Sequence, residues 1–239
     1  MIKQMMTSAV FAGFVAGLLA ALLHFAFLQE YILLAEKYES GELTHFQNAA
    51  VAEQPDAVTQ SAVVSDAPAS TATSTLTRNA LTVIFVALVY VGYAMVLVAG
   101  FGLAETFGAT ITAREGLLWG IAGFVSFQIA PGLGLAPELP GVIAAELAQR
   151  QMWWWGTVLS TGTGLALLAY GRGYLVRALA ILALAAPHVI GAPEADAYSG
   201  VTPPEVAAMF ATGVLGVAFV AWAVLGWLAG YFWSRQKSA

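Results

Sequence analysis

Residues 206–234 read VAAMFATGVLGVAFVAWAVLGWLAGYFWS, 29 consecutive positions without a charged side chain, bounded by Glu205 and Arg235. A helix rises 1.5 Å per residue, so about 20 such residues cross a hydrocarbon layer about 30 Å thick. The stretch predicts a membrane-spanning helix, with Trp227, Tyr231 and Trp233 as anchors at its closing interface. Working outward, five more charge-free intervals appear: 26 positions between Lys3 and Glu30, 26 between Arg78 and Glu105, 22 between Glu115 and Glu138, 21 between Arg150 and Arg172, and 16 between Arg177 and Glu194. The last becomes long enough if its helix begins at Tyr174, because an Arg177 in the first turn can extend its head group to the interface. Only Gly171-Arg172-Gly173 separates the fourth and fifth intervals, which predicts an antiparallel hairpin, with Trp153-Trp154-Trp155 anchoring its first helix.

Composition agrees. Of 239 residues 59% are apolar and 10% charged, and the mean hydropathy is +0.77, whereas soluble domains carry about 25% charged residues. The fold class predicted is therefore an all-α membrane protein, a six-transmembrane-helix bundle forming a single integral domain over residues 1–239. The first span is expected to be retained, since the apolar run Ala9 to Leu28 is longer than a signal-peptide core and no convincing cleavage pattern precedes Glu30. A net charge of -5 with no basic cluster excludes nucleic acid as a partner, and the lack of cysteine excludes disulfides and thiolate metal sites.

Orientation follows from the basic residues. With both termini inside, the inner segments hold Lys3, Arg114, Arg172, Arg177, Arg235 and Lys237, against Lys37, Arg78 and Arg150 outside, so the positive-inside rule favours N-in/C-in. Twelve of the fourteen acids then lie outside, Glu105 and Glu115 being the exceptions. Residues 30–78 form the long external loop. Its acidic first part, Glu30 to Phe46, extends the first helix, and the Ala/Ser/Thr/Val-rich remainder from about 48 to 77 is expected to be disordered, having too little apolar surface to offset chain entropy. The third helix is expected to break at Pro131 into a Pro/Gly-rich loop running to Gly141 that caps the bundle.

Ionisable groups within spans are functional candidates, because their burial in hydrocarbon is costly. His24 shares a helical face with Gly13, Gly17 and Ala20, the small residues that mark a packing side, so it points into the bundle. His188 follows Pro187 near the outer end of span five. Glu30, Glu138, Glu194 and Glu205 lie at span boundaries on the same side. Imidazole with carboxylate and no thiolate suits divalent first-row metals such as cobalt, nickel or zinc. Each histidine reads either as a ligand or as a structural group, His24 as an interhelical hydrogen-bond partner and His188 as an interfacial residue closing its helix. Gln128 reads as bundle glue, and Thr157, Ser160, Thr161 and Thr163 as hydroxyls bonded to their own preceding turn. No phosphate-binding Gly-x-x-x-x-Gly-Lys, His-Glu-x-x-His or nucleophile elbow is present, so neither an ATP-driven motor nor an enzyme is expected.

Four stretches are similar to the predicted cobalt transporter subunit family of the CbtA type: Gln29 to Glu39 (QEYILLAEKYE), Arg78, Pro137-Glu138-Leu139-Pro140-Gly141 with the following Arg150-Gln151 and tryptophans, and Ala186-Pro187-His188-Val189-Ile190-Gly191-Ala192-Pro193. The resemblance covers nearly the whole chain outside the variable loop. It implies a multi-pass protein of the bacterial inner membrane that takes up cobalt, is associated with cobalamin supply, and works with a small single-span partner of the CbtB type. Glu36, Glu138 and His188 match the family's polar positions; His24, Glu30 and Glu194 are added from depth and facing. The metal-ligand set expected is thus His24, Glu30, Glu36, Glu138, His188 and Glu194, contacting a transported divalent cation, with no permanently bound cofactor. A non-transporting accessory subunit is the competing reading. It is motivated by the small-residue faces Gly13/Gly17, Gly116/Gly120 and Gly226/Gly230, which invite packing within a homo-oligomer or a larger membrane complex.

Overall fold

The computed structural model describes residues 2–45, 74–195 and 200–236, and over these the chain is helical apart from turns, loops and one isolated antiparallel bridge between Val142 and Gly200. The helices are α1 (Ile2–Phe27), α2 (Gln29–Glu39), α3 (Thr75–Thr106), α4 (Ala113–Phe124), α5 (Ala130–Gly132), α6 (Leu147–Tyr170), α7 (Tyr174–Ile190) and α8 (Pro204–Arg235), with a π-helical turn at Val125–Ile129 joining α4 to α5. Three stretches, Met5–Phe27, Thr75–Thr106 and Pro204–Arg235, are long and apolar enough to cross a membrane. The remaining apolar segments fall short for separate reasons. The α6 helix has 24 residues diluted by Trp, Ser, Thr and Gly, α7 has 17 residues, and α4 is interrupted by the π-turn. Large apolar side chains such as Phe11, Phe14, Leu22, Phe85 and Leu88 face outward, a surface suited to hydrocarbon and not to water.

The helix starts are encoded locally. Ser74 accepts the Thr77 amide at 3.2 Å to cap α3. Thr112 and Glu115 form a reciprocal capping box at α4. Helix α3 already includes Thr75, Leu76 and Thr77, so the loop expected to be disordered through residue 77 ends sooner, where the Ser74 cap begins the helix. The rest of that expectation, residues 48–73, lies outside the described residues.

The core is built by α1, α3, α4 and α8 around Trp222, Trp233, Phe101, Leu225 and Val98, with Ala9, Ala12, Ala16 and Ala20 of α1 against them. Glycines set the closest approaches. A Cβ on Gly17 would lie 2.6 Å from Ala87 Cα in α3, and one on Gly230 would lie 2.8 Å from Gly116 Cα in α4. The Gly13/Gly17 face is therefore taken by α3, and the Gly116/Gly120 and Gly226/Gly230 faces are taken by each other. These stripes were the ground for expecting an accessory role, and packing inside the chain accounts for all three.

Helices α6 and α7 pack as a hairpin across residues 171–173, where Gly173 has φ 89°, a left-handed conformation that favours glycine. Ser160 reaches across it, its hydroxyl donating to the Ala183 carbonyl of α7 at 2.6 Å. Ser160 therefore departs from the own-turn bond expected of it, whereas Thr157 makes its own, donating to Trp153 O at 2.8 Å, and the buried Thr161 hydroxyl has no protein partner among the described residues. The expected break at Pro131 also differs. The helix continues to Gly132, because the π-turn places the Ala130 amide on Val125 O and widens the backbone just before the proline, relieving the clash its ring makes in a regular α-helix. Gln128, within that turn, makes no side-chain hydrogen bond to a described residue, so it does not act as the expected interhelical glue.

Candidate functional site

One end of the bundle is closed by a cap assembled from three distant parts of the chain. The α1 helix turns at Leu28 into α2, whose apolar side is driven down by burial: Leu28 and Ala35 pack with Leu139 of the Pro/Gly loop and Phe210 of α8, flanked by Tyr31 and Ile32. The loop after α5 is pinned on both sides. Gly141, at φ 79°, lies over the Glu39 side chain and Val201, the Thr202 hydroxyl donates to Pro140 O at 3.4 Å, and Val142 bridges Gly200. Gly134 sits where a Cβ would come within 2.7 Å of both Ala192 and the Trp153 ring, so the segment after α7 and the first turns of α6 close the same cap. The Trp153 indole N–H donates to the Pro187 carbonyl at 3.2 Å, tying α6 to the end of α7 beside His188.

Besides Lys37–Glu42 at the end of α2, two ion pairs join distant parts of the chain in this region. Arg150 of α6 donates to Glu138 at 2.7 Å, with both side chains about one-third exposed or less (28% and 32%). Arg78 of α3 approaches Glu36 of α2 at 3.5 Å, both more open to solvent. The first is the stronger by distance and partial burial, since a charge-assisted hydrogen bond gains as water is withdrawn. The Arg150 Nε is buried and has no protein partner among the described residues, so the guanidinium is fixed by one end only.

The six sequence-predicted ligands distribute as follows. Glu36 and Glu138 are each held by an arginine. Glu30, in the first turn of α2, and Glu194, in the segment after α7, are exposed. His188 is exposed in the last turn of α7, and His24 is half-buried in the last turn of α1, its ring edge-on to Phe25 at 5.6 Å. Among the described residues, no group of three or more His, Asp or Glu is placed to hold a metal ion together. Among the described residues the acids and imidazoles are dispersed and do not close into a cage.

Sequence reasoning missed Arg78 and Arg150 as partners of the candidate carboxylates. The pairs span 42 and 12 residues, so no helical or strand periodicity announces them; the signal available was that each arginine lies within a stretch already singled out.

It missed, too, a hollow of about 650 Å³ below the cap between α3, α4 and α6, lined by Trp119, Ser126, Phe127, Gly162, Thr163 and Tyr170 among others. A smaller one of about 390 Å³ lies on the cap side, against Glu138, Arg150, Gln151, Trp154 and Trp155. The Trp119 indole donates to the Tyr170 hydroxyl at 3.1 Å across the larger hollow's wall.

A family model described as a probable cobalt transporter subunit (CbtA) matches residues 2–234. Among curated proteins and among solved structures, none matches.

Proposed function

The chain belongs to the CbtA family of probable cobalt transporter subunits, and from that premise we propose that it takes up divalent cobalt through a six-span bundle of the bacterial inner membrane, both termini inside. In this reading the spans are α1, α3, the α4–α5 segment, α6, α7 and α8, and the cap faces outward. A small single-span subunit of the CbtB type completes the transporter. Its role is transport and not catalysis.

The observation that carries the reading is the cap itself: the Gln29–Glu39 helix, the Pro137–Gly141 loop and the Pro187–Pro193 segment, far apart in sequence, meet at one end of the bundle. Acidic side chains there raise the local concentration of cations. His188, His24, Glu30 and Glu194 then exchange for water in the hydration shell, imidazole supplying preference for first-row metals over calcium or magnesium. Glu36 and Glu138 contribute once the ion displaces Arg78 and Arg150. Dispersed ligands suit this task, since a transported ion must be bound firmly enough to enter and loosely enough to leave.

The test is uptake of labelled cobalt by cells carrying the wild-type chain, Glu138→Gln or His188→Ala, with membrane levels of each protein measured alongside. Disturbing even the groups that support a metal ligand costs about 10–100-fold, so each variant is expected to lower uptake by at least about ten-fold at limiting cobalt. Wild-type rates in both variants, at equal protein, would remove the proposed site.

A further inference from the structure

The two hollows follow one another along a single helix. On α6, Gln151, Trp154, Val158, Gly162, Leu165 and Ala169 succeed one another at steps of three and four residues, so one face of a single helix lines the cap-side hollow at its start and the larger hollow over the rest of its length. The facing wall is α4 and the π-turn, from Glu115 at the far end through Trp119 and Ala122 to Ser126 and Phe127. Two rings separate the hollows. Phe127 lines the larger, Trp154 lines the smaller, and they meet edge-to-face at 5.9 Å between centroids, with the buried Val158 one turn below Trp154.

We propose that the α4–α6 seam is the route of the transported ion through this chain, and that the Phe127–Trp154 contact is its gate, closed in this conformation. The proposal rests on the transport reading above. The size fits a hydrated ion, since a shell of six waters occupies about 180 Å³ and the larger hollow holds about 650 Å³. The lining is mainly apolar, and the groups that can bond the waters of an ion are the hydroxyls of Ser126, Thr163 and Tyr170 and the Glu115 carboxylate at one end. Such a passage carries water-shelled ions when wetted and closes by drying when two aromatic rings narrow it. The gate has a place to move from, because Phe127 belongs to the π-turn, a helix irregularity frequent at functional sites. Phe127 also stacks on Trp222, 5.4 Å away, and meets Tyr93 at 5.2 Å, so the closed position is supported from the core.

The chain contains no cysteine, so a single Thr163→Cys reports on the larger hollow against a blank background. The protein is reconstituted into liposomes, oriented vesicles are exposed to a small water-soluble thiol reagent from one side at a time, and reaction at residue 163 is measured. The expected result is reaction from the Glu115 side alone, and from both sides once Phe127→Ala or Trp154→Ala is added. Either ring suffices, so a folding failure of Phe127→Ala leaves Trp154→Ala to decide. A residue 163 thiol unreactive from both sides in every variant, as in a lipid-filled groove, overturns the proposal, as does labelling that neither ring substitution changes. Cobalt flux is read separately in vesicles that also hold the single-span subunit: lack of flux with the unsubstituted chain there counts against the uptake reading, while thiol access still decides whether the seam is a gated aqueous route.

Discussion

Gly226 of α8 lies so close to α4 that a Cβ there would come within 2.5 Å of Gly120 Cα, well inside van der Waals contact. The obstacle is backbone and not a flexible side-chain tip, so a larger residue can be admitted only by moving two helices apart. Overpacking of this kind costs about 1–3 kcal/mol where the surroundings can shift, and Gly226→Leu exceeds that because Gly116, Gly120 and Gly230 share the same seam. Gly226→Leu is therefore expected to abolish the folded protein, read as loss of a monodisperse species in detergent. Gly92, with open space around its Cβ position, is the matched control: Gly92→Ala is expected to be neutral or to stabilise by about 0.5–1 kcal/mol, the usual helix-interior difference. A different balance holds at Arg150. Arg150→Met removes the 2.7 Å bond to Glu138 and leaves a half-covered carboxylate unpaired, so thermal stability in detergent should fall. Arg150→Met combined with Glu138→Leu should recover much of the loss, because an apolar pair leaves no charge to desolvate. Equal stability of the single and double variants would mean that the pair does not hold the loop.

At the scale of elements, the π-turn is the feature that sequence patterning could not reveal. The run Ile121 to Ala130 is apolar all round but for Ser126 and Gln128, too few polar positions to mark a change of register, so periodicity is silent, and Pro131 reads as a stop when it is in fact accommodated. Deleting Gln128 would remove the extra residue of the turn, so that the segment runs on at 3.6 residues per turn with the helix after it in place, and the widening ahead of Pro131 is lost. The expected outcome is that the Pro131 ring meets the carbonyl one turn before it and the melting temperature in detergent drops, whereas Gln128→Leu, at a half-buried side chain without a described partner, is tolerated. A deletion as stable as the wild type would show that the turn has no structural role. Other elements were legible because their signals are local. Ser74 and the Thr112/Glu115 box mark helix starts, Gly171 to Gly173 marks the hairpin turn, and the Gly13/Gly17 face marks a packing side. The identity of each packing partner was not legible, and neither were the Glu36–Arg78 and Glu138–Arg150 pairs, since these join segments whose proximity exists only after folding. The candidate ligands were read one residue at a time from charge, depth and facing; their dispersal across the cap depends on how α2 folds back at Leu28, which no single stretch encodes.

At the scale of the whole molecule, the placement of nine basic residues discriminates between topologies. Were α1, α3 and α8 the only spans, with the N-terminus inside, the α4–α7 region would lie wholly inside and the C-terminus outside. The inner side would then hold Lys3, Arg114, Arg150, Arg172 and Arg177, and the outer side Lys37, Arg78, Arg235 and Lys237, a nearly even division. Six spans divide them six to three, the asymmetry the positive-inside rule favours. Leu133, 73% exposed at the start of the Pro/Gly loop, separates the two arrangements, because it is outside with six spans and inside with three. In the cysteine-free background, a membrane-impermeant maleimide applied to intact cells is expected to label Leu43→Cys and Leu133→Cys. It should reach Phe107→Cys and Tyr174→Cys, at positions 79% and 88% exposed, only after the membrane is opened. Protection of Leu133→Cys in intact cells, with Leu43→Cys still labelled, would place the Pro/Gly loop inside, separate Glu138 from the outer acids, and leave the cap without access to external cations.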